Sequence, residues 1–253
     1  LADSLTVDLN CDLGESFGRY RLGEDAAMMP LVTSANIACG FHAGDPSVMD
    51  RTVALAVDHG VALGAHPAYP DLQGFGRRQM ALSPKAIEDA VLYQIGALAA
   101  FASRHASRLR HVKPHGALYN FAAGDQPAAA ALTRAVLAYD PDLILVGLAG
   151  SALVRAGDAA GLRTAQEGFP DRAYLPDGRL RPRGEPGAVI TDPLEVADNA
   201  LRLVREGIFV GDGVVQVDTL CLHGDNPQAV ENARAVRQAL DVAGVALRPL
   251  WRD

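Results

Sequence analysis

The chain has 253 residues, 49% of them hydrophobic, with a formal net charge of −7 and a pI near 5.5. That length allows one large domain or two smaller ones, and the acidic balance argues against a nucleic-acid surface, which needs clustered cations to neutralise phosphates. No apolar run approaches the roughly 20 residues that span a bilayer, and no basic region followed by an apolar segment opens the chain, so a soluble cytoplasmic protein is expected.

A first strand over 5–9 is followed by Asn10, Asp12 and Glu15, and a short helical segment over 24–29 leads to a second, buried strand over 32–39. A glycine-bracketed turn then presents His42. Asp45 and Pro46 fit the N-cap and first position of a helix over 46–58, closed by His59-Gly60, where a histidine suits the negative end of the dipole. A short third strand ends at His66. Residues 68–78 form a long turn-rich segment in which glycines flank Phe75 ahead of Arg77 and Arg78; it reads as a mobile anion-binding loop or as a solvated one.

Ser83-Pro84 opens a helix to about residue 103, with Ile87, Val91, Ile95 and Leu98 on one face. A fourth strand over 109–112 runs into Lys113 and His115, with His105 and His111 read as structural. Helix 126–139, strand 143–146, helix 151–160 and strand 162–166 continue the alternation up to Glu167. Turn signals over 169–190 predict a hairpin excursion above the site face. Asp192-Pro193-Leu194-Glu195 then carries capping-box residues for a helix to 205. A last strand over 214–222 leads to His223 and Asp225, Asn226 caps a helix to 242, and an apolar tail reaches Trp251.

Repeated βα units predict a parallel sheet, either closed as a barrel or open and doubly wound. Polar residues follow nearly every strand, which favours the barrel, because an open sheet concentrates its site at one switch point. Closure would bring His42, His66, His115, His223, Asp12, Asp45, Asp225, Glu167 and Lys113 together. Only Lys85 and Lys113 are lysines, so a lysine at a strand end carries weight. Bland roles compete: Asp45 as an N-cap, Asp12 as a turn former, His66 and His115 as satisfied core histidines, and Cys11, Cys39 and Cys221 as inert reduced core thiols.

Three chemistries fit these residues. Asp12 and His115 form an acid–base pair able to open an amide or lactam whose carbonyl is polarised by Lys113 or a histidine. Alternatively Asp12, His42 and His66 hold a divalent metal that activates water, although neither HExxH nor paired CxxC occurs. Lastly, Cys11 or Cys39 acts as a nucleophile beside a histidine. No GxxxxGK[ST] phosphate loop is present.

Several long motifs carry a resemblance: Asp8-Leu9-Asn10-Cys11-Asp12-Leu13-Gly14-Glu15, the 36–46 segment, Gly64-Ala65-His66-Pro67 with Tyr69-Pro70-Asp71, Gly74-Phe75-Gly76-Arg77-Arg78, Val112-Lys113-Pro114-His115-Gly116-Ala117-Leu118-Tyr119-Asn120 and Pro186-Gly187-Ala188-Val189-Ile190. Together, in order from about residue 5 to 247, they resemble the LamB/YcsF family. The resemblance implies a distorted seven-stranded parallel β/α barrel of the glycoside hydrolase/deacetylase type, in one domain. It also implies ATP-dependent opening of 5-oxoproline to L-glutamate, with ATP as co-substrate of a complex with PxpB and PxpC subunits. Under that reading Asp12, His66, Lys113 and His115 are catalytic, Asp12 directing water, the histidines moving protons and Lys113 binding an anion with Arg77. Asn10, Asn36, His42, Arg77, Tyr119, Glu167, His223 and Asp225 complete the substrate pocket. A metal and a homo-oligomer stay open. The same superfamily shape offers a metal-dependent deacetylase or amidohydrolase working without ATP, and a third reading makes the chain a ligand-binding scaffold subunit.

Overall fold

The structure is a computed structural model and describes residues 5–224 and 228–250; Asp225, Asn226 and Trp251 lie outside them. In chain order the elements are β1 (Thr6–Leu13), α1 (Asp25–Met28), β2 (Ser34–Ala38), α2 (Pro46–Asp58), β3 (Ala62–His66), α3 (Pro84–Arg104), β4 (Leu109–Val112), α4 (Gly116–Gly124) and α5 (Gln126–Tyr139). These are followed by β5 (Ile144–Leu148), α6 (Ala152–Ala159), β6 (Arg163–Gly168), α7 (Pro193–Glu206), β7 (Ile208–Val210), β8 (Gly213–Val215), β9 (Thr219–His223), α8 (Ala229–Val242) and β10 (Ala246–Leu247). Seven parallel strands neighbour one another in the order β1-β2-β3-β4-β5-β6-β9, and β9 pairs back onto β1 from Asp8↔Thr219 to Asp12↔His223, closing the barrel. β10 lies beside the start of β1. Among the described residues no helix is long and apolar enough to cross a membrane.

Side chains alternate along each strand, so every second residue faces the barrel axis. Leu9, Cys11, Leu13, Ala35 and Ile37 belong to the apolar layer that also holds Val53, Val91 and Ile95 of the helices. The intervening residues build a polar interior. Asp8 accepts hydrogen bonds from Ser34 Oγ at 2.6 Å, Thr33 Oγ1 at 2.7 Å and Thr219 Oγ1 at 2.5 Å. One layer up, Asn36 Nδ2 donates to Asn10 Oδ1 at 2.7 Å, and His111 Nε2 lies 2.8 Å from Asn36 Oδ1. The His111 ring occupies the space in front of Gly64, where a Cβ would stand 2.0 Å from Nε2. Any larger residue at that position of β3 would collide with it.

Local sequence accounts for most element ends. Asp45 accepts from Ser47 and Val48 N–H as the α2 N-cap, Asp192 caps α7, Ser83 caps α3, and His59 is the α2 C-cap. Three expectations change. β1 runs on to Leu13, so Asn10 and Asp12 are inward-facing strand residues and do not follow the strand; an apolar run ends too early in a barrel whose interior is polar. Residues 116–124 form a helix where the sequence suggests only a polar strand end. The expected strand over 214–222 is two elements, because β8 folds antiparallel onto β7 around Gly211-Asp212 before β9 begins. Residues 169–190 are irregular, tied by antiparallel bridges Arg172↔Val189 and Tyr174↔Leu180.

Burial pushes the Asp8 carboxyl up to about 6, against the hydrogen bonds from Ser34, Thr219 and Thr33 that pull it down. A carboxyl whose pKa is raised by folding binds its proton more tightly when folded. It therefore contributes stability below its unfolded pKa of about 4, and that contribution is lost as pH rises through 6. Asp8→Asn should gain on the wild type by about 3 kcal/mol between roughly pH 4 and pH 7, read from urea midpoints. A difference that stays constant with pH would show that burial does not perturb Asp8.

Candidate functional site

The site is built around Lys113, which leaves the end of β4 with its backbone N–H still bonded to Ala65 O at 3.0 Å. Its side chain enters the barrel and is 3% exposed. Nζ lies 2.8 Å from Asp12 Oδ1, 3.1 Å from Glu167 Oε1 and 2.8 Å from Cys221 Sγ. Burial works against the ammonium charge, but Asp12 and Glu167 outweigh it and hold the Lys113 pKa well above the usual lysine range. Burial likewise pushes the Asp12 carboxyl up, and the neighbouring His66 ring and the Lys113 ammonium together overcome this and hold it well below the usual carboxylate range. Glu167 is completely enclosed, accepting from Asn10 Nδ2 at 3.0 Å and Tyr119 Oη at 2.6 Å. All three ammonium donors thus have acceptors. Lys113 fixes and polarises Asp12 and is no free hook for an incoming anion.

A histidine cluster adjoins Asp12. His66 Nε2 is 3.2 Å from Asp12 Oδ2 and 2.9 Å from His115 Nδ1. His66 Nδ1 bonds to Lys113 O at 2.7 Å and His115 Nε2 to Phe75 O at 2.9 Å. His42 stacks on His115 with ring centroids 3.9 Å apart, and its Nε2 is 3.0 Å from Glu15 Oε1. Burial drives the pKa of His42 and of His115 well below the ordinary histidine value, so both rings are neutral. The 68–78 segment is folded down onto them by tight turns. Gly76, at φ +63°, packs where a Cβ would be 2.9 Å from both His115 Cδ2 and His42 Cβ, and Phe75 takes a φ of 54° to aim its carbonyl at His115. Such backbone is held only where its surroundings over-determine it.

Above these groups lies a cavity of about 500 Å³, lined by Asp12, His66, Lys113, His115, Tyr119 and His223 together with Arg77, Arg172, Arg179, Arg181 and Arg183. The size suits a small molecule. Arg77 lines it, whereas Arg78 turns away to pair with Asp71. Burial and the neighbouring Arg183 bring the Arg172 pKa down to about 10, against Asp171. Asn10, Asn36 and Glu167 lie beneath the cavity in the polar interior, and His42 stands beside it against His115. Asp225 is outside the described residues. Asp45 is a cap, and His105 pairs with Asp50.

Burial holds Cys11 well above the usual thiol range and Cys39 at about 12, both in the apolar layer, which leaves them unsuited to act as nucleophiles. Cys221, expected only as a core thiol, is the sulfur that touches Lys113. Glu15, Asp171 and the arginines of 172–183 stand at or beside the site, and sequence reasoning does not single them out. Glu15 stands in plain view three residues after Asp12, while Asp171, 2.7 Å from His223 Nδ1, carries no local signal. The metal trio also changes: Glu15, His42, His66 and His115 form one group able to hold an ion, and Asp12 falls in another with Cys221 and His223.

The sequence model of the LamB/YcsF family matches residues 7–252. A 5-oxoprolinase subunit of Methylococcus capsulatus is 60% identical over 249 residues, covering 97% of this chain and 96% of that protein. The corresponding 5-oxoprolinase subunit of Syntrophobacter fumaroxidans is 56% identical over 245 residues, covering 95% and 97%. The crystal structure of a lactam utilization protein from Thermus thermophilus superposes with a TM-score of 0.90 at 53% identity, covering 96% of this chain and 99% of that one.

Removing Lys113 would leave Asp12 and Glu167 facing each other in a buried space, so Lys113→Met should cost about 3–5 kcal/mol of stability, measured by urea unfolding. Adding Glu167→Gln should restore part of that loss. Equal stability of Lys113→Met and wild type would show that Lys113 does not hold the carboxylates in place.

Proposed function

This chain belongs to the LamB/YcsF family, and from that premise we propose that it is the ring-opening subunit of an ATP-dependent 5-oxoprolinase, converting 5-oxoproline (pyroglutamate) to L-glutamate. One observation supports this above the others: an ionised Asp12 and neutral His115, linked through His66, face a small-molecule cavity lined by arginines. Those arginines suit a substrate bearing a carboxylate and, once activated, a phosphoryl group.

A five-membered lactam recloses with high effective molarity, so water alone opens it poorly. ATP supplies the drive if the amide oxygen is phosphorylated first. Since the sequence carries no GxxxxGK[ST] motif, the nucleotide chemistry falls to partner subunits, PxpB and PxpC, and the activated ring passes to this cavity. There Arg77 and the 172–183 arginines take the anionic groups, and Asp12, kept ionised by Lys113, orients a water towards the ring carbon. Water adds, the ring C–N bond breaks, and the nitrogen takes a proton through His66 and His115. The γ-carboxyl phosphate so formed is hydrolysed by a second water to glutamate and inorganic phosphate. The three buried unpaired thiols suit a cytoplasmic setting.

Glutamate release from 5-oxoproline and ATP should occur only when this chain is mixed with its partner subunits, and not with either alone. Asp12→Asn in the mixture should lower turnover about 10²–10⁴-fold. Release of product by this chain alone without ATP would instead establish an amidohydrolase, the second reading, which the Glu15, His42, His66 and His115 group favours.

A further inference from the structure

Glu15, His42, His66 and His115 each offer one ligand-capable atom, and these atoms lie within 4.8 Å of one another. The tautomers of His66 and His115 are set by the backbone. A carbonyl oxygen only accepts, so His66 Nδ1, 2.7 Å from Lys113 O, carries the ring hydrogen, and so does His115 Nε2, 2.9 Å from Phe75 O. With those far nitrogens donating, His66 Nε2 and His115 Nδ1 are the ring atoms left to bind, and they face each other at 2.9 Å. Around them stand Glu15 Oε1, 3.4 Å from His115 Nδ1, and Asp12 Oδ2, 3.2 Å from His66 Nε2. His42 Nε2 is 3.0 Å from the same Glu15 oxygen, while its Nδ1 is buried with no hydrogen-bond partner among the described residues.

Acceptors turned towards one another repel unless a positive centre lies between them. A single proton bridges only one pair, and the place is closed to water: His42 is 1% and His66 0% exposed. A metal ion satisfies all four at once. The anchoring of the far ring nitrogens of His66 and His115 on backbone carbonyls is the outer-shell arrangement that fixes ligating histidines in orientation and tautomer. Three imidazoles and one carboxylate, without a thiolate, are the donors that suit zinc-type divalent ions; magnesium and calcium take all-oxygen shells.

We propose that Glu15, His42, His66 and His115 form a binding site for one divalent transition metal ion of the zinc type. Since His66 and His115 also line the cavity, an ion there borders the bound substrate, where it would polarise a carbonyl or lower the pKa of a water. The site consists of this chain's own side chains and stands whether or not the lactam reading holds.

Cobalt(II) is the probe, because its visible spectrum reports its ligands without any substrate. The full chain, stripped with a chelator and shown by circular dichroism to be folded, is titrated with cobalt(II) and then with zinc as competitor. One equivalent should bind with intense visible bands of a nitrogen- and oxygen-ligated ion and no thiolate charge-transfer band, and zinc should displace it. Glu15→Gln and His42→Ala should each weaken binding by about 100-fold, whereas Cys221→Ser should leave the spectrum unchanged. Two variants guard against one failing to fold, and the wild-type titration is decisive by itself. Weak non-stoichiometric binding by the folded wild type, binding that survives both ligand variants, or a thiolate band lost in Cys221→Ser would each overturn the proposal.

Discussion

The buried ammonium of Lys113 is the constraint around which the upper half of the barrel is arranged. Its partners come from strands far apart in sequence: Asp12 and Asn10 from β1, Glu167 from β6 and Cys221 from β9. A lysine so enclosed keeps its charge only if carboxylates surround it, and those carboxylates are tolerable there only if it is charged. The group therefore makes sense as a unit and fixes strand order and register near the mouth. β6 and β9 share only the pairs Glu167↔Thr219 and Gly168↔Leu220, so side-chain bonds reaching Glu167 and Thr219 from Asn10 reinforce a thin seam of the ladder.

That unit also determines the electrostatics of the cavity. Among the described residues, Asp12 is the carboxylate partner of Lys113 that also reaches His66 and lines the cavity. Glu167, which faces no open space, holds Lys113 in place. The charge of Lys113 is thereby spent inside the network, and the arginines lining the cavity supply its remaining positive charge. The whole chain is acidic, with a net charge of −7, yet five arginines are among the residues that line its cavity. Local placement outweighs the overall balance.

The histidine cluster gains its geometry from backbone. His66 and His115 are oriented by carbonyls of Lys113 and Phe75, and the loop carrying Phe75 can approach them because Gly76 has no Cβ. The loop is a fitted cover, held by Asp71 bonds to Gly74 N–H and to Arg78.

The order of strands and helices, the caps at Asp45, Ser83 and Asp192, and the clustering of His66, Lys113 and His115 at strand ends were legible in the sequence, because apolar periodicity and capping chemistry act within a few residues of one another. The motifs also carried the family. The sequence did not disclose that Asp12 faces inward from within β1, that Glu167 lies beneath the cavity as a support, that Cys221 touches Lys113, or that Glu15 joins His42, His66 and His115 next to Asp12. Those facts depend on which strand closes against which and how far each side chain reaches across the barrel. Contacts such as Lys113 to Asp12, separated by 101 residues, leave no local pattern. The chain alone determined which chemical groups stand at the strand ends; only barrel closure decided which of them meet, because desolvation and pairing are settled among neighbours in space.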